Sequence, residues 1–164
     1  MAEKENSNIQ FLINQSSCFD LQFRKDTRYE RPNSPTYYRW KVQFIVTAPK
    51  GKLSLIKKIR KTLRCGNIHI IKNQARFSVQ KIDDVVKFVI PFFNKNHLAG
   101  KKKKDFELWQ KAVEIIYRNK GKYIAKWGKN DLISLIEIHK LTSKYKNRPR
   151  KSKWVENEKL MVRI

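Results

Sequence analysis

The chain is poor in the residues that cross-link, ligate metals or cross membranes. Only two cysteines, Cys18 and Cys65, occur in 164 residues. Two are too few for a disulfide framework or a cysteine zinc site, and both read as small core residues in a reducing compartment. The histidines have no cysteine or acid cluster placed around them in the sequence, so no metal and no cofactor is expected. No apolar run approaches the length that crosses a bilayer, and no membrane partner is expected. Met1-Ala2-Glu3-Lys4-Glu5-Asn6 lacks the basic start and apolar core of a signal peptide, and the arginines of a transit peptide. The scarcest class relative to its opposite is acid. Fourteen Asp and Glu face 38 Lys and Arg, a formal net charge of +24. Such self-repulsion is tolerated most easily when the normal partner is a polyanion, which points to nucleic acid.

What is present bounds the rest. A hydrophobic content of 40% excludes wholesale disorder, and the length suffices for one domain with its own core. Usage leans on Lys, Asn, Ile, Phe and Tyr, with five Gly and five Pro, the bias that AT-rich codons give in organellar genomes.

Residues 1–8 are polar and read as a flexible N-terminus. A short helix is expected over 9–18. Phe19, Leu21 and Phe23 then alternate with polar residues as a half-buried strand does. Arg31-Pro32-Asn33-Ser34-Pro35 makes a turn, and a second strand runs from Tyr37 to Thr47. Leu53, Ile56, Ile59 and Leu63 recur at helical spacing, with a left-handed cap expected at Gly66. Residues 68–72 and 75–80 read as a hairpin turning at Asn73-Gln74. A helix opening at Asp83 is expected to stop near Pro91. The run Lys101 to Lys104 precedes an amphipathic helix over 105–119, and another helix spans about 130–145. Residues 148–164 form a basic tail. The order is α-β-β-α-β-β-α plus C-terminal helices: an α+β fold with a four-stranded antiparallel sheet, and a single domain over 9–147.

Five blocks in this order carry a family likeness. They are Leu12-Ile13-Asn14-Gln15-Ser16-Ser17-Cys18-Phe19, Leu63-Arg64-Cys65-Gly66-Asn67-Ile68, Val89-Ile90-Pro91-Phe92-Phe93, Leu98 to Phe106, and the closing helix over 129–147. Together the blocks resemble the LAGLIDADG homing endonucleases. The resemblance implies a sheet that forms a saddle over nucleic acid, two such domains packed through their first helices, and Mg²⁺ held by acids at the helix ends. The positions of those acids hold Asn14 and Ser16, which reads as a degenerate former metal site. A neutral hydroxyl is a poor substitute for a carboxylate toward a hard cation. Gln15 and Ser17 replace the small glycines of the helix seam, which counts against a homodimer. A polar, water-positioning residue implied near the end of the second strand falls at Ala48. Asp20 reads as a strand residue rather than a surviving ligand.

These departures lead to the expectation of a non-enzyme. The chain reads as a catalytically inactive RNA-binding protein, a structural component of an organellar (mitochondrial) ribosome that contacts rRNA and neighbouring ribosomal proteins. Two alternatives stand beside it: an intron-splicing, maturase-like factor, and a DNA endonuclease half active only with an acid-bearing partner. The candidate nucleic-acid-binding residues are Arg24, Arg39, Lys41, Gln43, Arg76, Ser78 and Gln80 on the outward strand faces, with His69 joining them if the strand register allows. Lys101, Lys102, Lys103 and Lys104 follow, and then Lys146, Arg148, Arg150, Lys151 and Lys153 in the tail. Trp40, Trp109 and Trp127 read as core rather than base-stacking residues.

Overall fold

Side-chain alternation builds the sheet. In strand β1 (Ser17–Lys25), Phe19, Leu21 and Phe23 are buried while Arg24 is exposed. In strand β2 (Tyr38–Pro49), Trp40, Val42, Phe44, Val46 and Ala48 are buried on the same alternation. Strands β3 (Asn67–Ile71) and β4 (Gln74–Val79) complete a four-stranded antiparallel sheet of order β1-β2-β4-β3. The register aligns Phe44 with Val79, Val46 with Phe77 and Ala48 with Ala75, so the apolar rows run continuously between neighbouring strands. Ile68 opposite Phe77 and Ile70 opposite Ala75 carry two of those rows into β3.

The structure, a computed structural model, describes residues 2–26, 31–33 and 38–145. Helix α1 (Ala2–Ser16) precedes the sheet, and α2 (Leu53–Leu63) joins β2 to β3. After β4 come α3 (Ile82–Asp84), a π turn (Val85–Val89), α4 (Ile90–Lys95), α5 (Gly100–Arg118) and α6 (Lys129–Tyr145). No helix among the described residues is long and apolar enough to cross a membrane.

Several local expectations are corrected. Helix α1 starts at Ala2 and not at residue 9. Residues 2–5 are good helix formers, Glu3 stands at the positive end of the dipole, and buried Ile9, Leu12 and Ile13 anchor the turns that follow. The left-handed residue that caps α2 is Arg64, at φ 61°, and not Gly66. The β3–β4 turn sits one residue earlier than expected, with Lys72 at φ 54°, and the amide of Lys50 donates to the Asn73 carbonyl at 2.8 Å. Pro91 does not end its helix. It lies in the first turn of α4, where a missing N–H is tolerated, after the π turn has reset the ladder. Lys101 to Lys104 do not precede a helix but form the first turns of α5.

Gly66 serves a different purpose. It adopts φ 93°, and a Cβ there would stand 2.5 Å from Cε2 of Phe77 and 2.9 Å from the Ser78 carbonyl oxygen. Gly66→Ala is expected to cost roughly 2–5 kcal/mol through backbone strain and overpacking. Urea denaturation checks this: a loss below about 1 kcal/mol would show that the Phe77 ring moves aside freely.

The chain forms two compact units, Met1–Asp20 with Gln43–Phe106, and Leu21–Val42 with Glu107–Ile164. In the first unit, Phe19, Phe44, Phe93 and Phe106 make an aromatic cluster with ring centroids 5.2–5.4 Å apart along its contacts. Phe77 meets Phe44 edge-on at 6.3 Å. In the second unit, Phe23 packs on Tyr38 and Trp40, and Trp40 meets His139 edge-on at 5.7 Å. Trp109, Leu135 and His139 are buried there too, so Trp40 and Trp109 are core residues as expected, while Trp127 is half-buried.

Candidate nucleic-acid interface

Directly opposed residues in antiparallel strands point to the same side. In the first unit this gives two polar rows, Ile45–Ser78–Asn67 and Thr47–Arg76–His69. His69 therefore does join Arg76. Ser78 and Gln43 lie on this polar side but are 3% and 4% exposed. The side-chain amide of Gln43 donates to Oδ2 of Asp20 at 3.0 Å. This bond spans 23 residues of sequence and holds both side chains to the strands. Gln80 follows β4 and is exposed.

At the end of α1, Asn14 is exposed and Ser16 half-buried. The next residue, Ser17, is 4% exposed, and its hydroxyl has no hydrogen-bond partner. Its backbone carbonyl accepts a hydrogen bond from Nζ of Lys102, which ties α5 to the α1–β1 junction. Lys101, Lys103 and Lys104 are exposed beside it. Four ammonium groups at the positive end of a helix dipole oppose that dipole, a local cost that an approaching anion would relieve.

In the second unit, Arg24 is exposed and Arg39 and Lys41 are half-buried on alternate positions of their strands. Burial, then the charges of Arg39 and Arg24, hold the Lys41 ammonium below the usual lysine range. Three cations from two strands thus lie on one face of the sheet, near enough for Arg39 and Arg24 to act on Lys41. Elsewhere in this unit, Arg118 donates to Oδ1 of Asp131 at 2.6 Å and Asn119 to Oδ2 at 2.9 Å, joining the end of α5 to the start of α6.

The strand alternation thus places Arg24, Arg39, Lys41 and Arg76 as expected. It withholds Gln43 and Ser78 by burial. The tail residues Lys146, Arg148, Arg150, Lys151 and Lys153 lie outside the described residues. Sequence reasoning missed Thr47 and Asn67. It also put the polar position at Ala48, which is buried opposite Ala75 on the apolar side, while Thr47 faces Arg76. Two signals were available: the β2 alternation, which continues from Arg39, Lys41 and Gln43 to Thr47, and the β3–β4 turn, whose position sets Asn67 opposite Ser78. Among the described residues, no group of three or more His, Cys, Asp or Glu could hold a metal ion.

A four-stranded antiparallel sheet with buried apolar rows, polar opposite rows and helices between and after its hairpins is the α+β class of the homing endonucleases. The family model described as LAGLIDADG endonuclease matches residues 6–113, well over half of the chain, and the chain belongs to that family. A Neurospora crassa protein described as "Probable intron-encoded endonuclease 2" is 30% identical over 96 residues, 57% of this chain and 21% of that protein. Among solved structures, the homing endonuclease I-TnaI superposes with a TM-score of 0.69 at 19% identity, covering 96% of this chain and 95% of that one. I-SmaMI bound to its uncleaved DNA target gives 0.74 at 17% identity, covering 93% of this chain and 48% of that one. I-LtrWI bound to target DNA gives 0.65 at 22%, covering 80% and 41%. The chain thus spans about a fifth of the curated relative and about half of I-SmaMI.

These relatives overturn the expectation of a non-enzyme. The family and the curated relative are named for endonuclease activity, and the solved relatives are homing endonucleases. Substitution at Asn14 and Ser16 does not by itself remove a chain from an enzymatic assembly whose centre, by the family resemblance, is shared by two domains. A ribosomal role finds no support among the relatives.

Proposed function

We propose that this chain is the DNA-gripping unit of a LAGLIDADG endonuclease, which cuts duplex DNA at a centre completed by a second, acid-bearing unit. The observation that carries the reading is the gathering of Arg24, Arg39 and Lys41 on one face of the sheet, where burial and then the charges of Arg39 and Arg24 hold the Lys41 ammonium below the usual lysine range. A polyanionic partner would neutralise such a face. Two of the solved relatives were captured on DNA targets.

Each unit contributes its own stretch of polar strand face. Guanidinium and ammonium groups displace condensed counterions from the phosphates, and this supplies most of the affinity. Arg76, His69, Thr47 and Asn67 carry donors and acceptors suited to base edges, the groups that read sequence in the major groove. Lys101, Lys103 and Lys104 present further ammonium groups at the start of α5.

The family resemblance implies Mg²⁺ at the end of the first helix. The donors here do not fit that ion. Asn14 and Ser16 offer neutral oxygens, and the carboxylate of Asp20 is 8% exposed and accepts from Gln43. The acid that would hold the ion is therefore assigned to the partner domain, and this chain's task is to bind and position the duplex. A second copy of the same chain carries the same neutral residues, so the partner is a different LAGLIDADG domain.

Selection from a randomised duplex DNA library tests the reading. A preferred sequence is expected to emerge, bound more tightly than duplex RNA of equal length at moderate salt. Tighter binding of structured RNA, with no DNA sequence enriched, would instead favour an RNA-binding role in splicing or in the ribosome.

A further inference from the structure

On the helix side of the sheet, α2 and the β3 edge enclose a groove of about 590 Å³. Its floor is apolar, from Leu53, Ile68 and Ile70. Its rim is cationic, from Lys57, Arg60, Lys61 and Arg64. Ile68 and Ile70 share a side with Phe77 and Ala75, so the groove opens away from Arg76 and His69. The whole groove belongs to the first unit. Ile70 is 49% exposed, which is unusual for an isoleucine on the side of the sheet that carries the core. Cys65 also lines the groove, and its thiol is pushed up to about 11 by burial and by the charge of Asp84. It stays protonated, so the groove is a binding surface rather than a nucleophilic site.

We infer that this groove docks a protein segment whose apolar anchors are flanked by Asp or Glu, independently of nucleic acid on the polar side of the sheet. Three observations select this occupant. Among the described residues the lining contains no acid, so a partner must supply the opposite charge. It contains no aromatic ring either, and therefore offers no stacking platform for bases. An apolar floor gains nothing from phosphate, but burying it against apolar side chains contributes about 25 cal/mol per Å². The spacing then specifies the partner further. Lys57, Arg60, Lys61 and Arg64 fall at i, i+3, i+4 and i+7 along α2 and its cap, one stripe of the helix. An acidic amphipathic helix repeats its own charges at the same spacing and can lay its apolar face on Ile68 and Ile70.

The test uses the full chain and a synthetic amphipathic helix with leucine on one face and glutamate on its flanks, followed by fluorescence anisotropy. The peptide is expected to bind. Ile70→Thr, which keeps a β-branched residue in the strand, is expected to weaken it about fivefold. The pair Lys57→Gln and Lys61→Gln is expected to weaken it about tenfold and to flatten its salt dependence. Both variants keep wild-type circular dichroism, because the substituted side chains are exposed, and both keep wild-type affinity for duplex DNA. Absence of peptide binding would overturn the inference. So would poly-glutamate binding as tightly as the amphipathic helix with no response to Ile70→Thr, which would mean charge alone. Displacement of the peptide by duplex DNA or RNA, with the nucleic acid losing affinity in the same variants, would reassign the groove to nucleic acid.

Discussion

Replacing Arg24, Arg39 and Lys41 together by glutamine is expected to weaken duplex DNA binding roughly 100-fold at physiological salt. The same change lowers the slope of log affinity against log salt by about 3, close to one counterion per lost phosphate contact. The accompanying stability change is expected to be small. Burial, and then the charges of Arg39 and Arg24, already disfavour the Lys41 ammonium in the free protein, so the triple variant is expected to melt near the wild-type temperature. Loss of binding with unchanged or gained stability separates a binding role from a structural one. A variant that binds normally, or that binds poorly only because it has unfolded, contradicts the assignment.

The pH dependence follows from the same group. The folded chain holds Lys41 below its usual range, so between that lowered value and the ordinary lysine value the unfolded chain carries more protons. The contribution of Lys41 to stability therefore rises with pH in this alkaline window. DNA affinity falls over the same window, because the bound phosphate requires the charged ammonium. Titration of binding and of thermal stability, wild type against Lys41→Gln, checks both directions.

The largest effect on stability is expected at Phe44. Its side chain is fully buried and its ring meets Phe19, Phe77 and Phe93 at centroid distances of 5.4, 6.3 and 5.3 Å. Phe44→Ala removes transfer energy, leaves a cavity and breaks three ring pairs, for a cost of roughly 3–5 kcal/mol. Phe44→Leu keeps most of the volume and is expected to cost less than half as much. Chemical denaturation measures both. Equal losses in the two variants would show that aromatic geometry outweighs volume, and a loss under about 1.5 kcal/mol for alanine would show that the cluster collapses around the gap.

The strands and α2 were legible because their side-chain periods are strong. Phe19-Leu21-Phe23 and Trp40-Val42-Phe44-Val46 alternate cleanly, and Ile56, Ile59 and Leu63 are buried at helical spacing. The misses have separate causes. The α1 start lies in a stretch too polar to show a period. The π turn before Pro91 carries no residue signature. Gly66 is required by the Phe77 ring, which occupies the space where its Cβ would stand, and not by the cap of α2, which Arg64 makes. At the candidate site, the cations could be named one by one, since alternation places them. The Asp20–Gln43 hydrogen bond and the reach of Lys102 to the Ser17 carbonyl could not, because they join segments 23 and 85 residues apart.

The correction on enzymatic character has a similar origin. Asn14 and Ser16 were read as the end of the chemistry, although by the family resemblance a LAGLIDADG centre draws on two domains. Local donor chemistry describes two residues of one domain. It does not show what the assembled pair can do, and the named activity of its relatives points to cleavage.

The most direct measurement is strand cleavage of the selected duplex in the presence of Mg²⁺, with this chain supplied alone and together with an acid-bearing LAGLIDADG chain from the same source. The account predicts binding without cleavage by the chain alone, cleavage by the pair, and loss of that cleavage when Arg24, Arg39 and Lys41 are replaced. A pair that leaves both strands intact while this chain binds structured RNA more tightly than any duplex DNA would contradict it.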